Sequence, residues 1–234
     1  MPNELTLLIS LVASFGLMLV FFRLFGQKGL FCWIPICTIL ANVEVNALIS
    51  AFGMEQTLGN TLFASSFLAT DILNERYGKK AADKAVFTGV LTSVVFILFS
   101  LLWQFYIPSE NDVALGEIKT LFASTPRILL ASLCAYAISE LFDVWLYHAL
   151  WDFTAKKSGS RDKFLWVRNN GSTLVSQFVN IVAFNFGAFF GVYELKTLFS
   201  ITGACYVIYI FTSLLDTPFM YLAKRLAPED LAKK

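Results

Sequence analysis

The stretch Thr57–Lys80, TLGNTLFASSFLATDILNERYGKK, begins as an apolar run and ends in a dense charged turn. Its reading decides the fold, because long apolar runs flank it and it alone makes their number odd or even. A spanning helix needs about 20 mostly apolar residues. Runs near 4–25, 31–52, 84–107, 126–150, 169–192 and 197–222 reach that length, whereas 57–74 is short and holds Asn60, Ser65 and Ser66.

Composition points to lipid as the solvent for these runs. Of the residues, 57% are hydrophobic and 15% charged, against about a quarter charged in a soluble domain. The net charge of +1 gives no pull toward nucleic acid. No basic leader or small-residue cleavage site precedes the first run, so it is expected to be retained as a span. Cys32, Cys37, Cys134 and Cys205 form no CxxC pair and are read as small apolar packing residues.

Loop charges arbitrate the doubtful third run, since cytoplasmic loops collect Lys and Arg. With seven spans, one side holds Arg23 and Lys28, then Arg76, Lys79, Lys80 and Lys84. It also holds Lys156, Lys157, Arg161, Lys163 and Arg168, then Lys224, Arg225, Lys233 and Lys234. That is 15 of the 18 basic residues; the opposite side keeps Lys119, Arg127 and Lys196 beside acids such as Glu4, Glu55 and Glu110. Dropping the third run would scramble this alternation. The expectation is an all-α bundle of seven spans forming one transmembrane domain over 1–234, N-terminus outside and C-terminus cytoplasmic. Six spans with a re-entrant third segment is the alternative.

A charge at membrane depth costs about 2.5–3.5 kcal/mol on insertion scales and marks a bundle interior or cavity. Glu44, Glu140, Asp143 and Asp216 sit there with no basic partner at similar depth. In the second span, Asn42 and Asn46 share a face while Glu44 points away from it. The helix is therefore surrounded by protein or unwound at a site. The fifth span places Tyr136, Glu140, Asp143 and Tyr147 on one stripe, two carboxylates between two aromatics. That stripe suits a planar, hydrogen-bond-donating ligand or a wet interhelical contact. The sixth carries Ser172, Ser176, Asn180 and Phe184, with Gln177 beside them. Its Gly187–Gly191 GxxxG allows close helix approach and leaves homo-oligomerisation open. In the seventh, Pro218 follows Asp216 and frees a backbone carbonyl, as a cavity wall or a hinge. At the end of the third, Asp71, Glu75, Arg76 and the distant Arg168 suit a latch or gate. No phosphate-binding loop, HExxH, GxSxG or histidine cluster is present. Neither an enzyme nor a metal or cofactor site is expected.

Residues 70–82, TDILNERYGKKAA, resemble the hallmark of the queuosine precursor transporters, also called the vitamin uptake transporter family. Arg168-Asn169-Asn170 with Ser172-Thr173 and Ser176-Gln177, and Asp216-Thr217-Pro218, are similar to its later motifs. Asn46-Ala47-Leu48 and the Arg127, Ala131-Ser132, Ser139, Asp143 pattern also fit. The resemblance implies a multi-pass importer in the bacterial inner membrane. Its implied cargo is 7-deazaguanine bases such as preQ0 and preQ1, or queuine, used in tRNA modification. It implies a bundle similar to the substrate-binding subunits of energy-coupling-factor transporters, without direct contact to nucleic acid. Weighed against the chemistry of such a base, the polar residues Glu44, Glu140, Asp143 and Asp216, with the amides Asn46, Gln177 and Asn180, are the substrate-binding candidates. Asp71, Glu75, Arg76, Arg168 and Pro218 are the gating or structural ones. The chain departs from the family at Asn180, where members often carry an acid. A secondary importer, a passive facilitator and a subunit requiring an ATPase partner all remain open, the last on a weak small-residue stripe (Ser10, Ala13, Ser14, Gly16).

Overall fold

The computed structural model describes residues 2–123, 126–226 and 228, without the side chains of 48, 54–56 and 126. The tail cations Lys233 and Lys234 and the Glu55 side chain therefore lie outside the described residues. The order is α1 (Asn3–Phe25), α2 (Gln27–Glu44), β1 (Leu48–Ala51), β2 (Met54–Thr57), α3 (Asn60–Tyr77), α4 (Lys79–Trp103), α5 (Leu115–Phe122), α6 (Pro126–Ser158), α7 (Leu165–Phe189) and α8 (Leu195–Arg225).

Five of these helices, α1, α4, α6, α7 and α8, are long and apolar enough to cross a membrane. Helices α2 and α3, of 18 residues each, fall short of that apolarity for a structural reason. Helix α3 is the centre of the bundle: Ala64 to Asn74 is an unbroken buried run. It packs on α1, α2, α4, α6 and α8. A helix that meets protein on every side needs no lipid-facing stripe, so polar residues can occupy its whole circumference. Tyr209 hydrogen-bonds Asn60, and Lys224 pairs with Glu75. Both intervals are fifteen residues, so α3 lies parallel beside α8 over about 22 Å.

The second run differs from the sequence reading. The helix stops at Glu44, and 48–57 fold into an antiparallel hairpin, Leu48 opposite Thr57 and Ala51 opposite Met54. Its two-residue turn has Phe52 at φ 54° and Gly53 at φ 71°, the mirror-image turn that matches strand twist. Helix α1 staples it: Asn3 donates to the Ser50 carbonyl (2.8 Å), and Glu4 accepts from the Phe52 amide (3.0 Å). Glu44 is thus at a helix end rather than mid-span, and Asn46 lies beyond it, donating to the Asn42 carbonyl.

The acidic loop near 108–125 also carries structure. Asp112 caps α5 through the amides of Leu115 and Gly116, and Phe122 packs on Phe96 and Trp103. Gly78 joins α3 to α4 at φ 83°, ψ 171°, a conformation glycine alone adopts without strain. In the GxxxG, only Gly187 mediates close helix approach, where a Cβ would stand 3.1 Å from Ala131 on α6. Gly191 lies past the end of α7 at φ 80°.

Candidate functional site

The hairpin marks one end of the bundle and the Arg168 cluster the other. Between them, three layers of polar side chains follow one another along α3, α6, α7 and α8.

The middle layer is acidic. Glu140 on α6 accepts from the hydroxyls of Ser66 (2.9 Å) and Thr70 (3.0 Å), both on α3. Asp143, one turn on, accepts from Ser176 of α7 (2.7 Å). Asp71 on α3 accepts from Thr173 (3.1 Å), and Asp216 on α8 from the Asn169 amide (2.8 Å). Asp71 and Asp143 also face each other across the α3–α6 contact. All four carboxylates are buried, and their partners among the described residues are hydroxyls and amides, never cations. Beside Pro218, Asn170 donates to Thr217 (2.7 Å) and accepts from Ser213 (3.2 Å). The helix α8 therefore runs unbroken through its proline, with α7 docked on it. Asn170 sits inside that packed joint.

The layer toward the basic end is a charge lock. Glu75 receives two nitrogens of the fully buried Arg168 (2.7 and 2.9 Å), the Tyr147 hydroxyl (3.0 Å) and Lys224 (3.1 Å). The Arg168 guanidinium lies 4.5 Å from the Trp151 ring centroid and donates to the Lys163 carbonyl. Arg76 takes a different part from the one its sequence position suggests. It donates to the carbonyls of Lys224 and Leu226 at the end of α8, not to a carboxylate. Asp71 belongs to the acidic layer, not to this lock.

The layer toward the hairpin is neutral. A cavity of about 30 Å³ opens between α3, α6, α7 and α8 under Val45 and Thr57. Asn60, Asn180, Asn185, Ser132, Thr57 and Tyr209 supply its polar groups, and residues such as Phe63 and Phe184 its apolar wall. Gln177 lies one turn below, its Nε2 buried with no partner among the described residues. One Glu44 oxygen is likewise buried without a partner.

Of the substrate-binding candidates, Glu140, Asp143 and Asp216 thus come together, Asn180 lines the cavity with Gln177 bonded behind it, and Glu44 and Asn46 are not part of the lining. The sequence reading missed Ser66, Thr70, Thr173 and Asn169, which hold the acids, and Asn60, Phe63 and Asn185, which line the cavity. Hydroxyls at i, i+4 in the third run were visible but counted only as weak hydropathy.

A polytopic helical membrane protein with a buried, cation-free acidic layer between a locked end and a covered cavity has the architecture of a solute transporter. The chain belongs to the family described as "putative vitamin uptake transporter", whose model matches residues 57–223. It is 36% identical over 221 residues to the "probable queuosine precursor transporter" of Bacillus subtilis (strain 168), covering 94% of this chain and 93% of that one. It is 28% identical over 174 residues to the "queuosine precursor transporter" of Escherichia coli (strain K12), covering 73% of each. No solved structure matches it.

Proposed function

We propose that this protein imports queuosine precursors, 7-deazaguanine bases, across the bacterial plasma membrane by secondary transport. Seven helices cross the bilayer (α1, α2, α3, α4, α6, α7 and α8), with the hairpin end outside and the lock in the cytoplasm. The reading rests on one observation above all, the layer of four buried carboxylates without a cation in a chain of this family.

Such carboxylates are expensive in a membrane and can exchange protons or receive donors from a solute. A 7-deazaguanine offers an N1–H beside an exocyclic amine, which one carboxylate can accept as a bidentate pair. Glu140 is best placed for that role, because its present donors, Ser66 and Thr70, are neutral hydroxyls that a ligand can replace. The facing pair Asp71 and Asp143 is the place for a coupling proton. The Glu75–Arg168–Lys224 lock holds the cytoplasmic end shut and must open for release.

The test uses cells unable to make or import the precursors, fed nanomolar preQ0, preQ1 or queuine. Queuosine in tRNA is the readout. Wild type restores it, Glu140→Gln does not, and a protonophore stops accumulation. Correctly inserted protein that restores nothing with any precursor overturns the substrate. Accumulation that survives the protonophore makes it a facilitator, and a co-purifying ATPase makes it a subunit.

A further inference from the structure

The neutral cavity has no part in the acidic chemistry, yet it is built as a site. Its amides come from two helices, and Asn180 and Asn185 are both more than nine-tenths buried. Each spends its amide nitrogen nearby, Asn180 on Gln177 (3.4 Å) and Asn185 on Thr202 (3.2 Å). Neither carboxamide oxygen has a donor among the described residues. Both side chains line the open space, so these acceptors are free to take a donor that enters it. No charged side chain lines that space. Phe63 on α3 and Phe184 on α7 bring aromatic rings to it from different helices.

Resting on the importer reading, we infer that this cavity is the entry-side recognition site, and that it takes the uncharged planar face of the base before the acids are reached. Carboxamides carry donors and an acceptor together, so they match the mixed edge of a guanine-like bicycle. A lining without charge selects against charged solutes. Phe63 and Phe184 supply stacking faces, which tolerate any planar ring.

At about 30 Å³ the cavity holds one or two waters, not a bicycle. The wall that can yield is the hairpin side, where Thr57 donates to Asn60 (3.2 Å) and Val45 completes the roof. The hairpin itself is tied to α1 by two exposed hydrogen bonds, and its turn puts a phenylalanine in the left-handed region. A segment so held opens at little cost. The hairpin is the lid of this site.

Cys205 in the lining makes the inference measurable. In a variant keeping Cys205 alone (Cys32→Ser, Cys37→Ala, Cys134→Ser), alkylation by N-ethylmaleimide is followed with and without preQ0. Saturating base is expected to slow alkylation about tenfold, and Asn180→Ala or Asn185→Ala to remove that protection. A second readout needs no cysteine changes: Phe63→Ala raises the uptake KM about tenfold with little change in maximal rate, whereas Phe63→Tyr preserves it. Uptake that is intact while Cys205 is unprotected and Phe63→Ala keeps its KM overturns the cavity and leaves the importer standing. If no 7-deazaguanine is taken up, the importer reading fails. Protection by guanine, adenine or hypoxanthine then upholds the cavity as a planar-base site, and protection by none overturns it.

Discussion

Glu75 and Arg168 show how much a single buried residue can hold. Arg168 is wholly buried and spends its donors on Glu75 and the Lys163 carbonyl. Removing one partner of such a pair leaves an uncompensated buried charge, at about 3–5 kcal/mol. Glu75→Gln is therefore expected to lower the thermal midpoint in detergent markedly. Pairing it with Arg168→Met should recover most of the loss, because the orphan charge goes too. Equal destabilisation by the single and the double change would show that the lock contributes nothing beyond packing. Asn180 supports a prediction of specificity. Asn180→Asp puts a carboxylate into a lining that has none, and should shift uptake from the neutral nitrile of preQ0 toward the aminomethyl cation of preQ1. An unchanged preference in competition uptake would remove Asn180 from the site.

Among the elements, the apolar helices were legible in the sequence and the polar devices between them only partly. The buried α3 was placed by loop charge, whereas five expected spans correspond to long apolar helices within a few residues at most ends, because hydropathy measures the lipid-facing surface directly. The second did not, because Leu48, Ile49 and Phe52 continue the apolar run beyond Glu44 while the backbone turns into a hairpin. The carboxylates stood out because a charge in a membrane is rare. Their partners Ser66, Thr70 and Thr173 did not, since a hydroxyl scarcely changes hydropathy and can bond its own helix. The short α5 was invisible for the opposite reason, as eight residues in an acidic loop give little periodic signal. Its stability is nonetheless specific. Three backbone amides holding the Asp112 carboxylate keep it below the ordinary aspartate range. The cap is thus complete at neutral pH and persists at pH 5. It is lost only as pH falls below the usual value of 3.8, through the lowered one. The protection factors of the α5 amides, taken relative to the intrinsic exchange rate at each pH, should fall there, and at neutral pH in Asp112→Ala. Asp112→Asn should keep part of the protection, since one carboxamide oxygen can still accept from these amides. Exchange that ignores both pH and Asp112→Ala would mean that Phe122 packing alone holds α5.

At the scale of the whole molecule, orientation follows from where the cations fall. Among the described residues, Arg76, Lys79, Lys80, Arg168 and Lys224 gather at the lock end, while the hairpin end carries fewer cations (Lys119, Arg127 and Lys196) beside Glu4 and Asp112. Cations resist transfer across the inner membrane and acids scarcely count, so the lock end should be cytoplasmic. The span count meets the same test. An 18-residue α3 rises about 27 Å, close to the hydrocarbon thickness. Its two ends bond opposite layers, Asn60 at the cavity and Glu75 in the lock. A re-entrant segment would return to the layer it left, whereas α3 runs one way from the cavity layer to the lock, which supports the seven-span reading proposed above. Seven crossings would place the termini on opposite sides. A fluorescent protein fused after the C-terminus should glow, a periplasm-active phosphatase there should stay inactive, and an N-terminal tag should be reached from outside. Single cysteines at 110–112 should react with an impermeant maleimide in intact cells, and cysteines at 79–80 only after lysis. Both termini on one side would restore the six-span alternative. An inverted pattern at 110–112 and 79–80 would keep seven spans but turn the lock outward, making the hairpin cavity the exit rather than the entrance.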